Sequence, residues 1–341
     1  MTPTEPSLSD LRSSAEPCAS KRDSGRASKG AKRELGRTSE EPTCERTSEA
    51  SAASSGPLLR TPEVSTQEAG PVPVRAEAPG GPVDHVIRFL RGLGVAFAIL
   101  VFWTGALGLA WLVLPYVYLR ERAPLSRRRR IQNVVAAAWR WFHRMLDRST
   151  LYRCRYVGET ASVSGPRVLV ANHPSLLDVT VILSRMPEAC CVVKSSLMNS
   201  PLVGRLLRAC GHVAAGDGSL MAGIGVLEAV RDRLNEGFPV LVFPEGTRSP
   251  LGGMHRFRRG AFEIAQRAGV PVVPIFLRCD PPALGKGTPV WRHPRRCPIL
   301  TVHVGPALDT NGGDPTELCK SVERDFRFRL GLVRASGEPR T

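Results

Sequence analysis

The chain has 341 residues, with 47 Lys and Arg against 31 Asp and Glu, a net charge of +16 and 42% hydrophobic residues. That is long enough to fill a core, in one large domain or two small ones, and basic enough to expect an anionic partner: a nucleic acid, a membrane surface or a phosphorylated substrate. Nine cysteines show no C-x-x-C pair and no zinc-type spacing with histidine, which argues against a metal or disulfide framework and for buried, inert thiols in a reducing compartment.

Residues 1–82 are rich in Ser, Glu, Arg, Thr, Pro and Gly and poor in branched apolar residues. Such a stretch cannot bury enough surface to offset its ordering entropy, so a disordered tail is expected, and its many glutamates argue against a transit peptide. Residues 83–148 read as membrane-associated helices. Leu93 to Leu119 carries no charged side chain and is long enough to span a bilayer with some tilt, with Pro115 expected to kink its end. Arginines flank both ends, Arg88 and Arg91 before, then Arg120, Arg122 and Arg127 to Arg130 after. The positive-inside rule therefore gives only a slight preference for a cytoplasmic C-terminal side. In Ile131 to Leu146 apolar residues recur at helical spacing, with Arg140, Arg144 and Arg148 off the stripe. That suits a helix at a membrane interface or, equally, one packed on the following domain. Together the two segments read as a helix pair that dips into one leaflet and returns.

From Leu151 the pattern becomes short apolar strands alternating with helices. Strands are predicted at 152–157, 167–171, 190–194, 212–214, 240–243, 272–277 and 300–304. Helices are predicted at 175–184, 201–209, 220–235, 260–267 and 316–330. This predicts an α/β domain over 149–335 with a central, mostly parallel sheet. Gly237 is placed to end the helix at 220–235 in a left-handed cap.

Chemistry concentrates in four stretches. The first is Asn172-His173-Pro174-Ser175-Leu176-Leu177-Asp178. Pro174 suits the first position of a helix, with His173 at its mouth and Asp178, one turn on, reaching back to the ring. A neutral histidine acting as general base needs such a carboxylate to fix its tautomer, although a histidine near a strand end is more often structural. The second is Phe243-Pro244-Glu245-Gly246-Thr247-Arg248-Ser249, which sets a carboxylate, a permissive glycine, a hydroxyl and a guanidinium fork at a strand's C-terminal end, where α/β sheets bind ligands. The third is basic, Arg256-Phe257-Arg258-Arg259-Gly260-Ala261-Phe262, before a helix start that also favours anions. The fourth, Val270-Pro271-Val272-Val273-Pro274-Ile275, is apolar with prolines at both ends and reads as an edge or shaped strand.

In this order the four stretches resemble the motif series of the glycerolipid acyltransferases, the 1-acylglycerol-3-phosphate acyltransferase type above all, over roughly residues 85–310. Lys194 is similar to a lysine that commonly follows the first motif. The resemblance implies an acyltransferase-type α/β domain behind a membrane-embedded helix pair, working at the cytoplasmic face of a membrane. It implies that His173 deprotonates an acceptor hydroxyl, that Asp178 orients it, and that the hydroxyl attacks the thioester of acyl-CoA or acyl-carrier protein without a covalent enzyme intermediate. Glu245, Gly246, Thr247, Arg248, Lys194, Arg258 and Arg259 would then bind the acceptor, most simply 1-acyl-sn-glycerol-3-phosphate giving phosphatidic acid. No metal or cofactor is expected. One departure stands out. Where the family commonly has an arginine after a Gly-x-h-x-h segment (h apolar), Gly211-His212-Val213-Ala214-Ala215 leads into Gly216-Asp217. A carboxylate there would repel a phosphate, which makes a zwitterionic acceptor such as lyso-ornithine lipid the alternative. A catalytically inactive lipid-binding protein is the non-enzymatic rival. A nucleic-acid binder is disfavoured by dispersed arginines and 6% aromatics, and a serine hydrolase by the lack of a G-x-S-x-G elbow.

Overall fold

Seven strands form the sheet of this computed structural model, which describes residues 81–158, 165–216, 220–289 and 293–333. They are β1 (Arg153–Val157), β2 (Val168–Ala171), β3 (Cys190–Val193), β4 (Val213–Ala214), β5 (Val240–Val242), β6 (Val272–Asp280) and β7 (Ile299–Val304), in spatial order β1-β7-β6-β2-β5-β3-β4. Pairing is parallel throughout except between β6 and β7, so the expected mostly parallel sheet is present. Residues 1–80 of the expected tail, and Asp217, lie outside the described residues.

Helices cover both faces, as continuous apolar strands require. Before the sheet come α1 (Pro82–Gly108), α2 (Leu114–Arg120) and α3 (Pro124–Arg148). Between and after the strands lie α4 (Asp178–Arg185), α5 (Ser195–Met198), α6 (Gly204–Ala209), α7 (Leu220–Asn235), α8 (Gly260–Arg267) and α9 (Pro315–Arg329). Alternate residues of β2 divide between two cores. Leu169 and Ala171 join Val181 and Ile182 of α4 and Phe142 of α3, while Val168 and Val170 join Val230 of α7, Phe262 of α8 and Phe326 of α9. The α7 helix ends at Asn235 and Gly237 takes φ +85°, the left-handed cap its sequence position predicted.

The chain leaves β2 into α4 on one face and leaves its neighbour β5 towards α8 on the other. Adjacent strands feeding helices on opposite faces open a crevice beyond their carboxyl ends. Both motifs carrying titratable side chains start there.

Two long helical stretches, Pro82–Arg120 and Pro124–Arg148, precede the sheet. Residues Pro82 to Arg120 form one continuous apolar helical stretch of 39 residues, in which a π turn over Leu109–Val113 lets the helix run through Pro115 instead of stopping. Val86, Phe89, Leu93, Phe97 and Leu100 are exposed along it, whereas Ala98 and Phe102 lean on Phe142. Among the described residues this is the one helix long and apolar enough to cross a membrane. By contrast, α3 packs on the sheet domain: Arg140 donates to the Ser184 carbonyl at 2.8 Å, His143 meets Thr180 at 3.1 Å, and Gln132 donates to the Cys210 carbonyl at 2.9 Å. Arg127 to Arg130 are each engaged within the chain: Arg127 on the Tyr118 ring, Arg128 with Glu236, Arg129 near the Phe238 ring and Arg130 with Glu121.

Seven described cysteines are free, and five of them are buried. Burial pushes the Cys190 and Cys279 thiols up to about 11, the inert state expected of them.

Candidate active site

The end of β2 is held in place before any catalytic group is reached. Asn172, buried, donates from Nδ2 to the Leu277 carbonyl at 2.8 Å and accepts from the Leu277 N–H at 2.7 Å. That two-point clamp extends the β2–β6 pairing by one residue after the strand ends. His173 follows. Its backbone N–H donates to Glu245 Oε1 at 3.0 Å, and its carbonyl accepts from the Ser249 N–H at 2.8 Å. The motif after β5 is thereby bolted to the motif after β2.

The His173 ring stacks on Phe243, with centroids 4.2 Å apart and 26° between planes. Its Nδ1 lies 2.8 Å from Asp178 Oδ2, and the ring keeps 19% exposure while Asp178 has none. The pairing is as the sequence predicted, but the local geometry differs. Pro174 is not the first helical residue. Ser175 to Leu177 form a turn, α4 begins at Asp178 itself, and the Ser175 N–H donates to Asp178 Oδ2 at 2.8 Å. The turn, not a first helical turn, brings the carboxylate back to the ring. Burial raises the Asp178 pKa above the ordinary carboxylate range, and the hydrogen bond from His173 offsets part of that rise. Its Oδ1 is buried without a partner.

Beneath the pair lies Tyr152, whose hydroxyl donates to Ser175 Oγ at 2.9 Å. Sequence reasoning missed it. A tyrosine at the start of an edge strand gives no local signal that it will support a turn 23 residues on.

Glu245 is 4% exposed, and both of its oxygens are held by donors of the chain. Oε1 accepts from the His173 N–H and, at 2.7 Å, from Ser249 Oγ–H, and Oε2 accepts from the His255 N–H at 2.8 Å. It knits the site's backbone together. Gly246, exposed, takes φ +69°, where a side chain is strained, and a Cβ there would come 3.3 Å from the Arg258 guanidinium carbon. Arg258 therefore lies against the Gly246 backbone. Arg248 Nη1 donates to the Leu284 and Gly285 carbonyls at 3.2 and 3.4 Å, and Thr247 Oγ1 receives Lys286 Nζ at 3.2 Å. Lys194, exposed, follows β3 at the same edge of the sheet. Arg259 pairs with Glu263 on its own helix at 2.8 Å. The arrangement supplies an oriented imidazole over a crevice whose far wall carries Gly246, Thr247 and several cations. A cleft beside it, open to solvent, is lined by Asn172, Pro174, Ser249, Gly285 and Lys286.

The known proteins that this chain is similar to are acyltransferases. Residues 153–278 match the model of the family described as Acyltransferase, a span that contains all four motifs. The chain is 41% identical over 112 residues to a 1-acyl-sn-glycerol-3-phosphate acyltransferase of Chlamydomonas reinhardtii, covering 33% of this chain and 34% of that protein. It is 32% identical over 155 residues to 1-acyl-sn-glycerol-3-phosphate acyltransferase alpha of Mus musculus, covering 45% and 53%. It thus spans between a third and about half the length of these two relatives. Among solved structures, the 1-acyl-sn-glycerophosphate (LPA) acyltransferase PlsC of Thermotoga maritima superposes with a TM-score of 0.53 at 22% identity, covering 74% of this chain and 98% of that one, a likeness of fold. The resemblance read from the motifs is matched by the family comparison over residues 153–278.

Proposed function

We propose that this acyltransferase domain transfers a fatty acyl group from the thioester of acyl-CoA or acyl-carrier protein to the free hydroxyl of a lysophospholipid, with 1-acyl-sn-glycerol-3-phosphate as first choice and phosphatidic acid as product. The observation that carries the reading is the 2.8 Å contact between His173 Nδ1 and the buried Asp178 carboxylate. An ionised carboxylate accepts the Nδ1 proton, so the base lone pair falls on Nε2. Nε2 takes the acceptor's hydroxyl proton as the oxygen attacks the thioester carbonyl carbon. The tetrahedral intermediate then collapses, the C–S bond breaks, and Nε2 returns the proton to the departing thiolate. An ester and a thiol result, with no covalent enzyme intermediate and no cofactor.

The acceptor's head group lies over Gly246 and Thr247, with Arg248, Arg258 and Lys194 supplying positive charge. Glu245 acts indirectly, by holding His173, Ser249 and His255. Arg259 is left out of the contact, since it is paired with Glu263. The apolar stretch Pro82–Arg120 holds the domain at a membrane, with the site at the cytoplasmic face, where a single-chain lipid is drawn from the leaflet and its product returned.

The test is His173→Ala in the full chain, assayed on lipid vesicles. A loss on the order of 10²–10⁴ in kcat is expected, and unchanged acylation sinks the assignment. Offering lysophosphatidate and lyso-ornithine lipid, each with both donors, decides the acceptor: turnover with the amino-acid lipid alone overturns the first choice.

A further inference from the structure

Beyond β6 the chain enters the segment 281–288, which lies outside all four sequence motifs yet is tied to two of them. The Leu284 carbonyl accepts from the Leu176 N–H at 3.2 Å and from Arg248 Nη1 at 3.2 Å, and Arg248 also reaches the Gly285 carbonyl. Leu284 holds φ +56°, a conformation costly for a residue with a Cβ, and such strain concentrates where a site fixes its backbone. Arg248, expected as a free fork for phosphate, thus spends one end on positioning this loop.

What the loop offers the crevice is Lys286. Its side chain is exposed, donates to Thr247 Oγ1 at 3.2 Å, and lines the cleft shared with Asn172, Pro174 and Ser249. An ammonium has three N–H donors, so two remain beyond the one on Thr247. Arg258 lies against Gly246, the residue before Thr247. The Gly246–Thr247 turn therefore has a guanidinium beside Gly246 and an ammonium on the Thr247 hydroxyl. The carboxylate of this motif, Glu245, is buried and already accepts from three donors of the chain, while Arg278 adds a further cation to the cleft wall.

We propose that Lys286 is a specificity-determining residue that binds the phosphate monoester of the acyl acceptor beside Thr247. The inference rests on the acyltransfer reading above. A phosphate monoester carries about −1.5 to −2 charges near neutral pH, and lysine binds phosphate as a point charge. Two cations across one backbone turn favour such a dianion over a zwitterionic or uncharged head group.

A phosphate monoester also occurs in the donor, as the ribose phosphate of acyl-CoA, so the experiment has two arms. Steady-state kinetics of the full chain, Lys286→Ala and Lys286→Arg are measured with 1-acyl-sn-glycerol-3-phosphate varied, then with acyl-CoA varied. In Lys286→Ala the KM for the acceptor is expected to rise roughly 10-fold or more, the scale of a lost charge-assisted hydrogen bond. The kcat should stay within about 3-fold, Lys286→Arg should recover part of the loss, and the KM for acyl-CoA should stay unchanged. The melting temperature of an exposed-site variant is expected to match the parent. An acceptor KM that does not move, or a rise confined to the donor KM, overturns the role of Lys286 and leaves the functional reading standing. A parent chain that acylates no phosphate-bearing lysolipid overturns the functional reading, and this inference with it.

Discussion

The ends of β2 and β5 each carry a buried carboxylate within one loop of the same imidazole, and the two do opposite work. Asp178 holds the ring and keeps one oxygen unpartnered in the protein interior. Glu245 touches no part of the ring and has both oxygens occupied by donors of its own chain. A buried anion that is fully hydrogen-bonded stabilises the backbone that bonds it, whereas one left partly unsatisfied costs folding energy and persists where the chemistry needs it. The difference teaches how the two ends divide labour: the β2 end orients the ring, and the β5 end fixes the backbone of the wall opposite.

The largest effect that can break this division is on rate. Asp178→Asn is expected to lower kcat by roughly 10²-fold or more, since an amide oxygen no longer stabilises a protonated ring, with little change in the acceptor KM. Because burial raises the Asp178 pKa, the ionised form is disfavoured by folding, and its cost grows as pH rises from the ordinary carboxylate value to the raised one and is constant above it. The neutral variant should therefore melt no lower than the parent near neutral pH. A clear drop in melting temperature would make the pair structural instead of catalytic.

Glu245→Ala should show the reverse pattern. It strands two backbone N–H groups and the Ser249 hydroxyl, so a stability loss of roughly 2–4 kcal/mol is expected from denaturant unfolding, with Glu245→Gln milder. Loss of activity with stability intact would return Glu245 to the ligand side of the comparison.

A smaller effect sharpens the comparison with a residue remote from both ends. His212 is buried next to β3, its Nδ1 accepts from the Cys191 N–H at 3.0 Å, and burial lowers its pKa to about 4. The unfolded chain binds a proton there near 6.5 and the folded chain near 4, so stability should fall as pH drops through that window and level off below it. Melting curves from pH 7 to 4 should show a shallower fall in His212→Gln. The smallest effect is Tyr152→Phe. Removing its hydrogen bond to Ser175 Oγ should cost about 0.5–1.5 kcal/mol, and kcat should fall only a few-fold if the turn under Asp178 keeps its shape.

The sheet was legible because its signals are local. Val168 to Ala171, Cys190 to Val193 and Val272 to Leu277 are apolar runs bounded by turn residues, and each folds as a strand of the expected kind. The helix at 220–235 and its glycine cap followed from the same kind of pattern. The amphipathic stretch at 131–146 was less legible, because a stripe with arginines beside it has the same composition whether it faces lipid or a neighbouring helix. Burial of Gln132 and His143 against the domain, with Trp141 left exposed, depends on partners that sequence spacing does not show.

Sequence alone determined the chemistry available: a histidine and a carboxylate five positions apart and a second acidic motif 72 positions on, each following an apolar strand. Covalent spacing and apolar periodicity suffice for that. Only the tertiary structure decided which carboxylate serves the ring and which the backbone, that Asp178 begins its helix instead of sitting inside it, that Arg248 braces a loop, and that Lys286 stands beside Thr247. Those outcomes turn on which donors meet which oxygens across strands far apart in the chain. Hydrogen bonding is directional and short-ranged, so it is settled only when the whole sheet has closed around them.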